Sequence, residues 1–387
     1  MSVTNPNFTH FFKLGHQSNI GIAEFEFQTQ SQDLVFDSQW LLTNTYFNPI
    51  STGSIVYGGK VVGSWDLRSD FENNFYQSLL DFLSDESDST SKFKKLGLAF
   101  PEWLQEKSFK IAKRQGAKKI NLLKSRDLPN YGHWKQTKNW LISFEFNGRL
   151  FLGHILGYSD QEFWNILDTN LPFGDMHRGI MNLKLGRSLL NLTSKNTIWD
   201  PFCGQGRLIM SGLDRKESFI ASDIDYLEDQ VRENYEFSYD FFQKNYRSAD
   251  KLDIAKLTTT FTADAGKDNQ KKLPTNLNLQ NIAVVTEGWL GYNFRKQPTQ
   301  IQIQNEFQNI EYLWEKVLYE FKTMGISEII FCLPFYKQDG EFIFPNFIFP
   351  IIQKNGYKST FFGAKNYLLY TRKDSIVGHF ILKITIY

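Results

Sequence analysis

The stretch Ile198-Trp199-Asp200-Pro201-Phe202-Cys203-Gly204-Gln205-Gly206-Arg207-Leu208 decides the fold of this chain. It begins as the apolar end of a strand, passes two glycines that lie two residues apart, and continues into a helical pattern. Glycine has no Cβ, so the backbone can pass close under a ligand at Gly204 and Gly206. The helix that follows presents free N–H groups to the same ligand. This arrangement predicts a Rossmann-like sheet that binds a nucleoside cofactor at the carboxyl end of its first strand.

Strands and helices alternate after this stretch, which is the pattern of a doubly wound α/β sheet. We predict five parallel strands and a terminal hairpin, which together give a seven-stranded, mostly parallel sheet. The predicted strands are residues 197–202, 218–222, 261–262, 281–287, 328–333, 366–371 and 377–387. The predicted helices are residues 176–192, 226–244, 303–324 and 344–354.

The first 160 residues alternate between strands and helices in an α+β manner. Asn147-Gly148 between two alternating apolar runs predicts a β-hairpin. Tyr57-Gly58-Gly59-Lys60 predicts either a hairpin turn or the start of a strand. We predict four segments in the whole chain: a domain over residues 1–65, a second over 66–160, a linker over 161–175 and a third domain over 176–387.

The composition excludes several classes of protein. Hydrophobic residues make up 41% of the 387 residues, which is enough for two or three domain cores. No apolar run reaches the roughly 18 residues of a membrane span, and the N-terminus does not resemble a signal peptide. The two cysteines, Cys203 and Cys332, are too few for a disulfide framework or a cysteine-rich zinc site. We therefore predict a cytoplasmic protein with no membrane partner and no metal site.

A basic run covers residues 92–138, although the net charge of the whole chain is only +1. The run carries 13 Lys and Arg residues and only three acidic residues. Such density is typical of a surface that binds phosphate groups. On its own, the run is equally consistent with a solvated helical face that has no partner.

Three parts of the chain resemble a known family. Residues 200–206, Asp-Pro-Phe-Cys-Gly-Gln-Gly, resemble motif I of S-adenosylmethionine-dependent methyltransferases that modify RNA or DNA amino groups. Residues 11–15 with 23–26, and residues 172–181 with Lys184-Leu185, resemble segments of the THUMP-domain tRNA guanine-N2-methyltransferases, especially the archaeal type that methylates guanosine 10 of tRNA. Residues 40–140 match this family only in element order and basic character.

The resemblance implies a ferredoxin-like domain, a THUMP-like RNA-binding domain and a Rossmann-like methyltransferase domain, in that order. It also implies S-adenosylmethionine as the cofactor, bound at the loop that contains Pro201 and Cys203. In this reading Asp200 orients the loop, and Gly204 and Gly206 lie under the methionine portion.

Two further carboxylates are predicted to contact the cofactor. Asp223 ends the second strand, where a carboxylate can accept hydrogen bonds from both ribose hydroxyls. Its alternative role is to cap the next helix, which Asp225 could do instead. Asp264 follows the third strand, where the resemblance implies contact with the adenine amino group. Its alternative role is to form a turn.

The catalytic corner follows the fourth strand. The amino-methyltransferases carry Asp/Asn-Pro-Pro-Tyr there, and this chain has Glu287-Gly288-Trp289-Leu290. An exocyclic amine is a poor nucleophile, because its lone pair is delocalised into the base. An acceptor oxygen that binds the N–H group localises this lone pair, and an aromatic residue stacks on the flipped base. We predict Glu287 as the acceptor and Trp289 as the stacking residue. The alternative is that the site has lost amine chemistry or acts on another atom.

Taken together, these features predict an S-adenosylmethionine-dependent methyltransferase that acts on the N2 amine of a tRNA guanosine. The alternatives are a catalytically impaired RNA-binding protein that keeps the fold and a DNA amino-methyltransferase. Next to a methyltransferase core, the basic run favours RNA binding. We also predict a monomer or weak dimer and a small activator protein as a further partner. The predicted RNA-binding residues are Lys110, Lys113, Arg114, Lys118, Lys119 and Arg126.

Overall fold

The computed structural model describes residues 8–85, 94–124, 129–174, 181–245, 256–267, 269–275, 277–294, 296–338, 340–360, 366–372 and 375–386. The chain divides into two compact units. The first unit comprises Met1–Ser18 and Thr29–Glu162, and the second comprises Asn19–Gln28 and Phe163–Tyr387. Across the described residues, no helix is both long and apolar enough to cross a membrane.

The first unit is built on one eight-stranded sheet. Its strands are β1 (His10–Leu14), β2 (Leu34–Phe36), β3 (Trp40–Thr43), β4 (Ile55–Asp66), β5 (Lys95–Phe100), β6 (Lys119–Lys124), β7 (Trp140–Phe146) and β8 (Arg149–Tyr158), in the order β2-β3-β1-β4-β8-β7-β5-β6. The helices up to residue 136 are α1 (Ser18–Thr29), α2 (Glu72–Asp85), α3 (Glu102–Arg114) and α4 (Tyr131–Gln136).

Successive residues of β5 face opposite sides of this sheet, as in any strand. Leu98 packs with Leu79 and Leu104 from the helices, whereas Ala99 lies in an aromatic cluster that contains Trp140. The turn Asn147-Gly148 joins β7 to β8 as the predicted hairpin, with antiparallel pairing from Phe146 to Trp140. The predicted division of residues 1–160 into ferredoxin-like and THUMP-like domains remains a prediction.

The glycine pair Gly58-Gly59 does not form a turn. β4 runs through both residues as one 12-residue strand, which pairs with β1 on one side and β8 on the other. A Cβ at Gly58 would lie 2.4 Å from the ring of Phe12. The glycines are therefore needed to make room for aromatic rings from β1, and of the two predictions for this segment only the strand is correct.

Helix α1 packs within the second unit although it lies near the start of the chain. Ile20 and Ala23 belong to the core cluster of that unit. Asn191 donates a hydrogen bond of 2.8 Å to the buried carboxylate of Glu24, which satisfies a charge that burial would otherwise penalise.

The second unit contains a nine-stranded sheet. Its strands are β9 (Thr197–Asp200), β10 (Ser218–Asp223), β11 (Lys256–Thr262), β12 (Ile282–Thr286), β13 (Glu328–Gln338), β14 (Glu341–Ile343), β15 (Tyr357–Ser359), β16 (Leu368–Tyr370) and β17 (Val377–Ile386). Its further helices are α5 (Gln161–Asn170), α6 (Leu183–Leu190), α7 (Arg207–Ser211), α8 (Glu228–Asn245), α9 (Gln300–Met324) and α10 (Ile348–Lys354). Helix α5 lies in the stretch predicted as a linker.

The strand order is β11-β10-β9-β12-β13-β17-β15, and β9 to β13 are parallel to one another. β17 lies antiparallel between β13 and β15. The order reverses between β9 and β12, and the carboxyl ends of strands at such a reversal form the usual ligand site of a doubly wound sheet. The predicted α/β Rossmann-like fold, with its mostly parallel sheet, is confirmed.

The far end of this sheet is more elaborate than predicted. The predicted hairpin is present, because β16 pairs antiparallel with β17. β15 pairs with another part of β17 and extends the sheet, and β14 pairs with β13. Both additional strands are only three residues long, so neither contains enough alternation to be recognised from sequence.

Candidate functional site

The loop between β9 and α7 is held in a conformation that needs both glycines. Gly204 has φ of 49° and Gly206 has φ of 85°, in the left-handed region that glycine adopts without strain. A Cβ at Gly206 would lie 3.0 Å from both Met210 and Val231. A Cβ at Gly204 would meet no atom of the described residues within 4 Å. Gly206 is therefore needed for packing as well, whereas Gly204 faces open space at the end of the strand.

Asp200 lies buried beneath this loop. Its Oδ1 accepts a hydrogen bond of 3.1 Å from the N–H of Phe202, and the hydroxyl of Thr286 donates to its carboxylate. Burial raises the pKa of Asp200 to about 7, and the nearby carboxylates of Asp223 and Glu287 also raise it. Its contacts suit the predicted role of orienting the loop, because one of them is to the loop backbone.

Asp223 fixes the same loop from the neighbouring strand. Its Oδ2 accepts a hydrogen bond of 2.9 Å from Gly204 N–H, and its Oδ1 accepts one of 3.0 Å from Asp225 N–H. Both predicted roles, ribose contact and capping, remain open to it, because each carboxylate oxygen keeps a further lone pair.

Asp264 forms a turn. Its Oδ1 accepts a hydrogen bond of 2.9 Å from Gly266 N–H, and the side chain is exposed. Glu228, which was not predicted from the sequence, lies in the first turn of α8 and accepts a hydrogen bond of 3.0 Å from the hydroxyl of Thr262. An acidic residue in the first turn of the helix after the second strand was the available signal.

A small cavity of about 10 Å³ lies at this edge of the sheet. Its lining includes Cys203, Asp223, Glu228 and Phe261. That volume is about the space of one water molecule. A nucleoside bound here would therefore occupy the open surface above the cavity or displace side chains.

The cysteine thiols of the second unit are not activated as nucleophiles. Burial raises the pKa of Cys203 well above its ordinary value and does the same for Cys332. Both thiols are therefore protonated at neutral pH, since a thiolate is disfavoured in a low-dielectric environment.

Glu287, the first residue after β12, forms a pair with His379 on β17. The Nε2 atom of His379 lies 2.6 Å from Oε1 of Glu287, and the two side chains are 14% and 18% exposed, respectively. Sequence reasoning missed His379, because it lies 92 residues beyond Glu287 and belongs to no motif. Its only signal was that it is one of two ionisable residues, with Lys383, in an otherwise largely apolar strand.

Gly288 gives the catalytic corner a backbone that proline cannot adopt. Its φ is 70°, whereas the ring of proline fixes φ near −65°. A Cβ at Gly288 would lie 3.0 Å from the ring of Trp314 and 3.2 Å from the carbonyl oxygen of Cys332. The corner therefore differs in main-chain conformation from Asp/Asn-Pro-Pro-Tyr, and not only in its side chains.

Two aromatic side chains lie exposed after this glycine. Trp289 is 42% exposed, as its predicted stacking role requires, and Tyr292, which the sequence analysis missed, is 65% exposed. Leu290 packs against the core instead. The N–H of Tyr292 donates a hydrogen bond of 3.1 Å to Glu306, which fixes the backbone beside these rings.

A short chain of hydrogen bonds joins the corner to the loop. The N–H of Gly288 donates to Oγ1 of Thr286 at 3.0 Å, and the hydroxyl of Thr286 donates in turn to Asp200. The two predicted halves of the site, cofactor loop and catalytic corner, are thus in contact through one threonine.

The predicted RNA-binding residues lie in the first unit, on α3, on the turn after it and at the start of β6. Lys110 pairs with Glu106 at 2.5 Å, and the ammonium of Lys113 donates 2.8 Å to the carbonyl of Lys118. The remaining described members, Arg114, Lys118 and Lys119, are exposed. Arg126 lies outside the described residues, as do residues 175–180 of the segment that resembles the family.

No family model matches the chain. No curated protein matches it either. Among solved structures, it is similar to TrmN from Thermus thermophilus, with 9% identity and a TM-score of 0.48 over 98% of this chain and 100% of that one. A possible methylase from Clostridium difficile 630 has 11% identity and a TM-score of 0.40, over 97% of this chain and 98% of that one. A TehB-like SAM-dependent methyltransferase from Corynebacterium glutamicum has 12% identity and a TM-score of 0.30, over 59% of this chain and 95% of that one. Because these identities and TM-scores are low, the similarities assign no activity to the chain.

Proposed function

We propose that this chain is an S-adenosylmethionine-dependent methyltransferase that modifies the N2 amine of a tRNA guanosine. One observation carries the proposal. The adjacent strands β9, β10 and β12 bring the glycine loop, the Asp223 carboxylate and the Glu287 carboxylate to one carboxyl edge, at the reversal of strand order. A cofactor loop that lies beside a second, partly exposed carboxylate suits methyl transfer to an amine, because the amine must lose a proton in the reaction.

The residues at this edge fit the cofactor. Gly204 leaves the space above the loop open, and the second lone pairs of Asp223 are available for ribose hydroxyls. Asp264 has a second carboxylate oxygen for the adenine amino group. When bound, S-adenosylmethionine supplies an electrophilic methyl group on a sulfonium, whose S–C electron pair returns to sulfur as the new N–C bond forms.

The residues of the corner act on the substrate amine. Glu287 accepts the N–H group and, as the nitrogen lone pair forms the new bond, takes up the proton that nitrogen loses. Trp289 and Tyr292 offer ring faces on which a flipped base can stack. Such stacking is worth about 1–3 kcal/mol per base.

The tRNA partner is supported by the basic residues of the first unit. Reversal of Lys110, Arg114 and Lys119 to Glu should weaken tRNA binding and lower the slope of log affinity against log salt by about one for each lost phosphate contact. The matched control is Lys316, Lys322 and Lys354 to Glu, which changes the net charge equally. Equal losses of tRNA affinity in the two triple variants would contradict a defined RNA-binding surface on the first unit.

The experiment that tests the function is methyl transfer to an undermodified tRNA, with nucleoside mass spectrometry of the product. We expect N2-methylguanosine. One observation favours a second candidate, an RNA-binding protein without transfer activity: the main chain at Gly288 departs from the Pro-Pro conformation. Tight tRNA binding with no methylated nucleoside would support that candidate, and methylation of DNA in preference to tRNA would reject both.

A further inference from the structure

His379 is the feature of the catalytic corner that nothing in the sequence pattern assigns. It lies in the middle of the sheet, where its Cα is opposite Pro334 of β13 on one side and opposite Tyr370 of β16 on the other. The ring of Tyr370 packs edge-on against the imidazole, with ring centroids 5.3 Å apart. Strands on both sides therefore hold the imidazole in place.

The hydrogen bond from His379 to Glu287 has a defined direction. A carboxylate oxygen accepts, so the hydrogen of the 2.6 Å contact is on Nε2. The other ring nitrogen, Nδ1, is buried and has no hydrogen-bond partner among the described residues. The proton on Nε2 therefore has a partner, whereas one on Nδ1 would be left unsatisfied, and this fixes the tautomer.

We propose that His379 is a positioning residue that holds Oε1 of Glu287 and leaves Oε2 for the substrate amine. This inference rests on the proposed function. Glutamate has one more rotatable bond than the aspartate of the family pattern, and Gly288 replaces a rigid proline. Both changes loosen an acceptor that must be placed closely to be effective. The fixed imidazole restores that placement, and the N–H proton moves to Oε2 while its electron pair stays on nitrogen.

Four variants test this role in the full chain: His379→Leu, His379→Gln, Glu287→Ala and the double variant of His379→Leu with Glu287→Ala. His379→Leu should slow single-turnover methyl transfer by about 10²-fold, the scale of a misplaced reacting group. The affinities for S-adenosylmethionine and tRNA should not change. His379→Gln keeps an N–H donor and should recover most of the rate. The double variant should be no slower than Glu287→Ala alone, because His379 acts through Glu287.

A second readout does not depend on catalysis. Spectra of protein labelled with ¹⁵N in histidine report the Nε2–H group of His379, which is assigned by its loss in His379→Gln. Glu287→Ala should shift this signal and speed its exchange with water. The control Glu315→Ala, at a surface residue paired with Lys354, should leave it unchanged. Because this measurement does not use His379→Leu, it tests the contact between His379 and Glu287 even if that variant does not fold.

The outcomes separate the two proposals. Wild-type rates in His379→Leu, additive losses in the double variant, or a signal indifferent to Glu287→Ala would each overturn the positioning role and leave the methyltransferase intact. If the wild-type protein methylates no tRNA, the proposed function is rejected and the positioning role of His379 in that reaction with it. The spectra would then still decide whether the pair exists.

Discussion

The loop after β9 and the corner after β12 lie side by side but are stabilised differently. The loop is held mainly by main-chain groups, such as the N–H of Gly204, which donates to Asp223, and the N–H of Phe202, which donates to Asp200. These partners lie 19 and 2 residues apart. The corner depends on side chains from distant strands, with His379 on Glu287 across 92 residues. The loop therefore depends mainly on nearby residues, whereas the corner depends on the pairing of β17 with β13.

The largest effect is expected at the corner. Glu287→Ala removes the proposed acceptor for the substrate N–H and should slow methyl transfer by roughly 10²-fold or more, the scale of a positioned proton acceptor. Glu287→Gln keeps one acceptor oxygen and should retain partial activity. Single-turnover assays with a tRNA transcript measure both. A wild-type rate in Glu287→Ala would show that the corner does not carry the chemistry.

The matching change in the loop is Asp223→Ala. It removes the acceptor for Gly204 N–H and the proposed acceptor for the ribose hydroxyls, so cofactor binding should weaken by roughly 1.5–3 kcal/mol, which is about tenfold or more. Asp223→Asn keeps an acceptor oxygen and should lose less. Calorimetry with S-adenosylmethionine measures both affinities. An unchanged affinity in a folded Asp223→Ala variant would reject the ribose contact.

Gly288→Ala tests how tightly the corner is packed. The left-handed φ should cost about 1–2 kcal/mol of unfolding free energy, and the added Cβ near Trp314 should increase that cost. Gly356→Ala is the matched control, because it has a similar φ of 76° and its Cβ would meet no described atom within 4 Å. Denaturant unfolding compares the two. Equal costs would mean that the contact with Trp314 adds nothing.

Asp200 should make the free energy of unfolding depend on pH. Its pKa rises from 3.8 to about 7 on folding, mainly because of burial. Between these values the folded chain holds a proton that the unfolded chain has lost, so the free energy of unfolding should fall as pH rises from about 4 to 7. Asp200→Asn should flatten this decline. Urea unfolding at several pH values would reveal it, and an identical slope in the variant would contradict the buried carboxyl as its source.

The sequence predicted those parts of the molecule whose determinants are local. The glycine loop, the strands around it and the Asn147-Gly148 hairpin each follow from a few consecutive residues. The continuation of β4 through Gly58 was one of two alternatives that the sequence left open, because the reason for it is the ring of Phe12 on another strand. His379 was missed for the same kind of reason. Contacts between distant strands have no signature in either segment alone.

The central place of β17 has a consequence for how the protein is made. β17 covers one edge of β13, yet it is synthesised long after β12 and β13. At about 5–20 residues per second, the 47 residues between Leu333 and its partner Phe380 on β17 correspond to roughly 2–9 seconds of translation. During that time an apolar strand, Ile329–Leu333 within β13, presents an unpaired edge on the nascent chain. Until β17 is made, this edge is a place where nascent chains can pair with one another, and the pairing with β17 removes it.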